Sequence, residues 1–124
     1  MNENECIIGI GSNINPENNI KTSLTMLAQK VEVMKTSSWT KIKPLGIIEQ
    51  DDFMNGAVKI RTTMSMEELI HYLKGLEDGI GRDRTLPKYG PRMIDFDIIV
   101  WNDEIVDNDY YTRDFVRNAI DELK

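Results

Sequence analysis

A chain of 124 residues is long enough for one domain (1–124) with a real core, and its formal net charge of −6 argues against general binding to nucleic acid. The apolar fraction of 40% is ordinary for a soluble globular protein, and no apolar stretch approaches the length of a membrane span. Cys6 is the single cysteine, which excludes an intrachain disulfide and fits a reducing cytoplasm, while the acidic, polar opening Met1–Glu5 leads us to expect no secretory signal peptide.

Cys6 to Ile10 reads as a buried first strand, with Gly9 and Gly11 marking a close-packed strand end that turns into a loop at Ser12 and Asn13. Cys6 itself is expected to be a buried small hydrophobe. Asn15-Pro16 is a helix start, with Asn as N-cap and Pro at the first helical position. Ile20, Leu24, Leu27 and Val31 then form one apolar face, and the helix is expected to end near Gln29 or Lys30. Val31 to Ile42 reads as one long second strand running into the loop signal Lys43-Pro44-Leu45-Gly46. Phe53 to Ile60 is a third strand. Its core face carries Met54, Val58 and Ile60, leaving Phe53 and Asn55 on the other side. There an aromatic ring beside an amide suits a flat heterocycle, although Phe53 packed under the preceding loop is the plainer alternative. Ser65 and Glu68 spell a capping box for a second helix with Leu69, Leu73, Leu76 and Ile80 inside. His71 falls off that stripe and reads as a surface residue.

The most informative stretch is Tyr89 to Val100. A Gly90-Pro91 turn feeds a strand rich in β-branched residues, interrupted by Asp95 and Asp97. At roughly 3.3 Å per residue these carboxylates lie about 6–7 Å apart on one face, with Ile94, Phe96 and Ile98 on the other. Two adjacent anions repel, and a hard cation such as Mg²⁺ relieves that cost. Just upstream, Arg82, Arg84, Lys88 and Arg92 against Asp83 give a local charge of plus three inside an acidic chain. A cationic loop beside a carboxylate pair is what polyphosphate transfer requires. After this strand, Trp101 to Val106 reads as a turn with a short extra strand. Thr112 is placed as the cap of a last helix that buries Phe115, Val116, Ala119, Ile120 and Leu123.

The run Gly81-Arg82, then Tyr89-Gly90-Pro91-Arg92-Met93-Ile94-Asp95-Phe96-Asp97-Ile98, resembles the signature of the 6-hydroxymethyl-7,8-dihydropterin pyrophosphokinases of folate biosynthesis. Gly11-Ser12-Asn13, the Pro44-Leu45-Gly46 loop followed by Phe53-x-Asn55, and Arg113-x-Phe115-Val116 extend the likeness. Tyr89 replaces the family's usual Trp, and Phe96 an aliphatic residue. Ile42-Lys43 stands where Thr-Pro is usual. No proline or histidine occurs between Val100 and Lys124, so the chain resembles a short form with a reduced C-terminal region.

The element order βαββαβ read from pattern is the ferredoxin-like arrangement, an α+β sandwich with an antiparallel sheet and its helices on one face, plus a C-terminal helix. The resemblance implies the same fold. It also implies Mg²⁺-dependent transfer of diphosphate from ATP to the pterin's hydroxymethyl group. In that reading Arg82, Arg92, Asp95 and Asp97 are catalytic, and the two aspartates hold Mg²⁺. Lys74, Glu77, Arg84, Lys88, Tyr89, Ile98 and Arg113 join Arg82 and Arg92 around ATP. Pro44, Leu45, Phe53, Asn55 and Phe115 take the pterin. Two other readings stay open from sequence: a relative that binds ATP or pterin without turnover, and a ferredoxin-like interaction module. Small molecules are the expected partners.

Overall fold

The computed structural model describes residues 3–44, 50–81, 85 and 91–124. Among these, six strands form one sheet flanked by four helices. The strands are β1 (Asn4–Ser12), β2 (Glu32–Thr36), β3 (Thr40–Ile42), β4 (Phe53–Thr62), β5 (Asp95–Trp101) and β6 (Glu104–Ile105). The helices are α1 (Pro16–Leu27), α2 (Met66–Ile80), α3 (Asp109–Thr112) and α4 (Asp114–Leu123). All pairings are antiparallel in the order β2-β4-β1-β5-β6, with β3 also on β4. The ferredoxin-like α+β expectation holds. No helix among the described residues is long and apolar enough to cross a membrane.

Period-two alternation divides the sheet into two faces. Cys6, Ile8 and Ile10 of β1 pack with Val58 and Ile60 of β4 and with Phe96 of β5, against Ile20 and Leu27 of α1 and Leu69, Leu73 and Leu76 of α2. The opposite face carries a smaller core in which Ile7, Ala57, Ile99 and Val100 meet Ala119, Ile120 and Leu123 of α4. The C-terminal helix therefore covers part of the second face and leaves the rest as an open floor.

Several boundaries depart from the sequence reading. α1 ends at Leu27, and Gln29, Lys30 and Val31 form a turn on the carbonyls of Met26 and Leu27. Asn15 occupies the N-cap position with φ 44 and makes no side-chain cap, so Pro16 alone marks the start. The expected strand from Val31 to Ile42 is broken into β2 and β3. At the break the Ala57 N–H donates to Ser37 Oγ at 2.8 Å, so a hydroxyl takes the place of a strand carbonyl. Ser38 donates through N–H and Oγ to Glu122 Oε1 at 3.0 and 2.9 Å, fastening the break to α4. The Trp39 ring lies directly over Gly56, where a Cβ has no room. β4 runs on to Thr62.

The capping box at Ser65 and Glu68 forms in both directions, and it holds the Glu68 carboxyl below its ordinary pKa. α2 closes at Gly81, whose φ of 111 is a glycine conformation. Asn102 and Asp103, at φ 48 and 70, supply the left-handed pair that a tight β5–β6 hairpin requires. A bulge opposite Ile7 and Ile8 lets Ile99 and Val100 both face α4, which explains why the apolar run does not alternate there. Thr112 does not cap the last helix: it ends α3, and the extended Arg113 joins α3 to α4. The two are tied by Tyr110 Oη, which donates to Asp121 Oδ1 at 2.9 Å and accepts from Lys124 Nζ at 3.2 Å. Cys6 is buried as expected, and burial pushes its thiol pKa up to about 12, so it stays protonated. His71 is exposed.

Candidate active site

A cleft of about 470 Å³ opens on the sheet face that α4 leaves uncovered. Register explains its floor. On β1, Gly11 lies between Asn55 of β4 and Asp95 of β5, and Gly9 lies beside Asp97. With no side chain at either glycine, the groups on the neighbouring strands face each other across bare backbone. A Cβ on Gly11 would come within 2.7 Å of Asn55 Oδ1, so glycine is required there. Phe53 and Phe115 stand on the walls, with Ile42, Lys43, Arg92, Asp107, Asp109 and Arg113.

Arg92 Nη1 pairs with Asp95 Oδ1 at 3.1 Å, both side chains about three-quarters buried. Its backbone is held at both ends by Asn13. The Arg92 N–H donates to Asn13 Oδ1 at 2.8 Å, and Arg92 O accepts from the Asn13 N–H at 3.1 Å. Asn13 Nδ2 donates in turn to Gln50 Oε1 at 2.8 Å and to Asp51 O at 3.0 Å, so the buried amide is fully used. Ser12 Oγ donates to Met93 O at 2.6 Å. The Gly-Ser-Asn run thus supplies, in order, the floor of the cleft and two anchors for the chain that delivers Arg92.

Asp95 and Asp97 project together, as the strand period requires. Asp97 is open to water along one side, while the cleft walls exclude water elsewhere. That desolvation, then the charge of Asp95 and a hydrogen bond with it, then the charges of Asp107 and Asp109, push the Asp97 pKa up to about 8. Two carboxyl groups side by side on one strand face are a donor set that suits a hard divalent cation. Among the described residues, no group of three or more His, Cys, Asp or Glu converges closely enough to hold a metal ion.

The cleft brings together Arg92, Asp95, Asp97, Arg113, Phe53, Asn55 and Phe115 of the sequence-predicted site. Pro44 is half-buried beyond the lining residues. Ile98 packs against the main core. Lys74 is exposed on α2, away from the lining. Glu77 is 3% exposed and accepts the Phe96 N–H at 2.8 Å, fixing α2 to the strand that carries the aspartates. Leu45, Arg82, Arg84, Lys88 and Tyr89 lie outside the described residues. Sequence reasoning missed Gly11 as floor, Ile42 and Lys43 as wall, and Asp107 and Asp109 altogether. The repeat of the D-x-D spacing at Asp107 and Asp109 was the available signal for the last two.

The sequence matches the family described as 7,8-dihydro-6-hydroxymethylpterin-pyrophosphokinase over residues 7–124. It is 35% identical over 120 residues to the 2-amino-4-hydroxy-6-hydroxymethyldihydropteridine pyrophosphokinase of Haemophilus influenzae, covering 88% of this chain and 74% of that one. Proteins of the same name from Synechocystis and Bacillus subtilis are 37% and 34% identical, over 78% and 86% of this chain. The matches span 50% and 65% of those two relatives.

Proposed function

Because the chain belongs to the 7,8-dihydro-6-hydroxymethylpterin-pyrophosphokinase family, we propose that it transfers the β,γ-diphosphoryl group of ATP to 6-hydroxymethyl-7,8-dihydropterin, with Mg²⁺, giving AMP and the pterin diphosphate. The observation that carries this reading is one cleft lined at the same time by two aromatic rings, an amide, two carboxylates on a single strand face and two arginines. The rings of Phe53 and Phe115 provide faces for a flat heterocycle, and the Asn55 amide offers a donor and an acceptor to its edge.

In the reaction a bond forms between the hydroxymethyl oxygen and the β-phosphorus, and the bond from that phosphorus to the α,β-bridging oxygen breaks. AMP leaves with the electron pair. Asp95 and Asp97 would hold Mg²⁺, which when bound neutralises charge on the phosphate oxygens. Asp97 would also serve as the acceptor for the hydroxyl proton. Arg92, whose backbone is fixed by Asn13 and whose head lies beside Asp95, supplies positive charge to the transferring group. Arg113, which lines the same cleft, adds a second guanidinium. Arg82, Arg84, Lys88, Tyr89, Lys74 and Glu77 are assigned to the ATP side on resemblance. Catalysis of this kind is positioning and electrostatics, with no covalent intermediate.

The test is AMP formation by purified protein given ATP and Mg²⁺. AMP is expected when hydroxymethyl-dihydropterin is present and not when it is omitted. Thermal stabilisation by both ligands without AMP would replace this reading with a binding protein.

A further inference from the structure

Arg113 sits at the junction of α3 and α4, where the backbone is extended and no side chain caps the following helix. Its aliphatic stem leaves a free rotor unless something holds the head. Asp109, one turn earlier, approaches it: Arg113 Nε lies 3.7 Å from Asp109 Oδ1, and both side chains are about one-third exposed. The Arg113 N–H donates to Asp109 O at 3.0 Å, so the two residues are also fixed to each other through the backbone. Asp109 is itself set by Asp107, whose Oδ1 accepts the Asp109 N–H at 2.8 Å. Asp107, Asp109 and Arg113 all line the cleft. A guanidinium with a carboxylate on its Nε side presents its two terminal nitrogens to a second oxyanion, since the group carries five N–H donors in a rigid fork.

We infer that Asp109 is a positioning residue for the proposed reaction: its carboxylate orients Arg113 so that the guanidinium meets the phosphates of the nucleotide in the cleft that Arg92 also lines. Asp107 fixes the turn from which Asp109 acts. The inference rests on the diphosphoryl-transfer reading of the same cleft. It gives a role to two carboxylates that would otherwise only add negative charge to a site meant for a polyphosphate. The pair, about one-third exposed, contributes little to the fold. Its effect falls on where a charge points.

The experiment is a double-mutant cycle on nucleotide binding. Affinity for the α,β-methylene analogue of ATP with Mg²⁺ is measured by calorimetry for the parent, Asp109→Asn, Arg113→Ala and the double variant, with unfolding midpoints alongside. Asp109→Asn is expected to bind about two- to fivefold more weakly, the range a partly exposed ion pair supports, with its midpoint unchanged. In the Arg113→Ala background the same substitution should have no further effect, and Asp109→Glu should restore part of the affinity. Tighter binding by Asp109→Asn would mean that the carboxylate competes with phosphate, and equal weakening in both backgrounds would mean that it does not act through Arg113. Either result overturns the inference. AMP formation by the parent is followed in parallel. Analogue binding without AMP sinks the proposed activity while the cycle still decides on Asp109, and absence of analogue binding overturns both.

Discussion

At the scale of single residues, the carboxylate pair makes the sharpest demands. Asp95→Ala and Asp97→Ala should each lower kcat by at least about 10²-fold, because each removes a charge that acts on the transferring group. Neither should unfold the protein, since both side chains stand in a cleft and the core lies on the other face. Near-parental turnover in both would remove the pair from the site. Asp97 also carries a pH signature. Its folded pKa of about 8 exceeds the 3.8 of the free side chain, so between those values the folded state holds a proton that the unfolded state has released. The stability this proton brings is lost as pH rises through about 8. Asp97→Asn has no charge to lose. Its metal-free unfolding midpoint should therefore exceed the parent's by a few degrees above pH 8, with the gap narrowing as pH falls. A midpoint difference that does not depend on pH would show that Asp97 is not crowded by its neighbours. Phe53→Ala should weaken pterin binding about tenfold, the scale of one lost aromatic stacking partner, and leave nucleotide binding nearly unchanged. Equal weakening of both ligands would make Phe53 a packing residue.

At the scale of elements, what local chemistry dictates was legible and what distant contacts dictate was not. The capping box announced α2 because Ser65 and Glu68 satisfy each other within one turn. The apolar alternation announced β4 and the split of its two faces, and Asp95 and Asp97 announced themselves by interrupting an apolar strand. The break between β2 and β3 had no local signal. It depends on Ser37 pairing with Ala57 and Ser38 with Glu122, partners that are far away in sequence. The junction at Arg113 was misread for a related reason: Thr112 is a good capping residue by type, yet α3 already uses it. Asp107 and Asp109 entered the cleft only because the β5–β6 hairpin and α3 fold back over the sheet. Ser37 gives a direct test of the strand break. Ser37→Ala leaves the buried Ala57 N–H without its acceptor and should cost about 1–3 kcal/mol in denaturant unfolding. A cost near zero would mean that the break is held by α4 alone.

At the scale of the whole molecule, the sheet works as a two-sided platform. One face is spent on the main core with α1 and α2. The other is divided between a small core under α4 and a floor of glycine flanked by Asn55, Asp95 and Asp97. That division lets the strand period sort residues into structure and chemistry: Phe96 is buried at 7% exposure between two aspartates that face the cleft. The α3–α4 corner, latched by Tyr110, brings Arg113 and Phe115 into the cleft lined also by Arg92 and Phe53. Between Val100 and Lys124, Arg117 pairs with Asp114 and Lys124 with Asp121, while Arg113 lines the cleft. Arg113→Ala should raise the KM for ATP or lower kcat by on the order of tenfold or more, and unchanged kinetics would take Arg113 out of the site. The central claim is that one cleft holds both substrates in line for transfer. Its most direct measurement is quantification of AMP from ATP and Mg²⁺ with and without 6-hydroxymethyl-7,8-dihydropterin. The account predicts AMP and pterin diphosphate in equal amounts, formed only when the pterin is present. No AMP at saturating ATP and pterin, or AMP formed at the same rate without pterin, would contradict it.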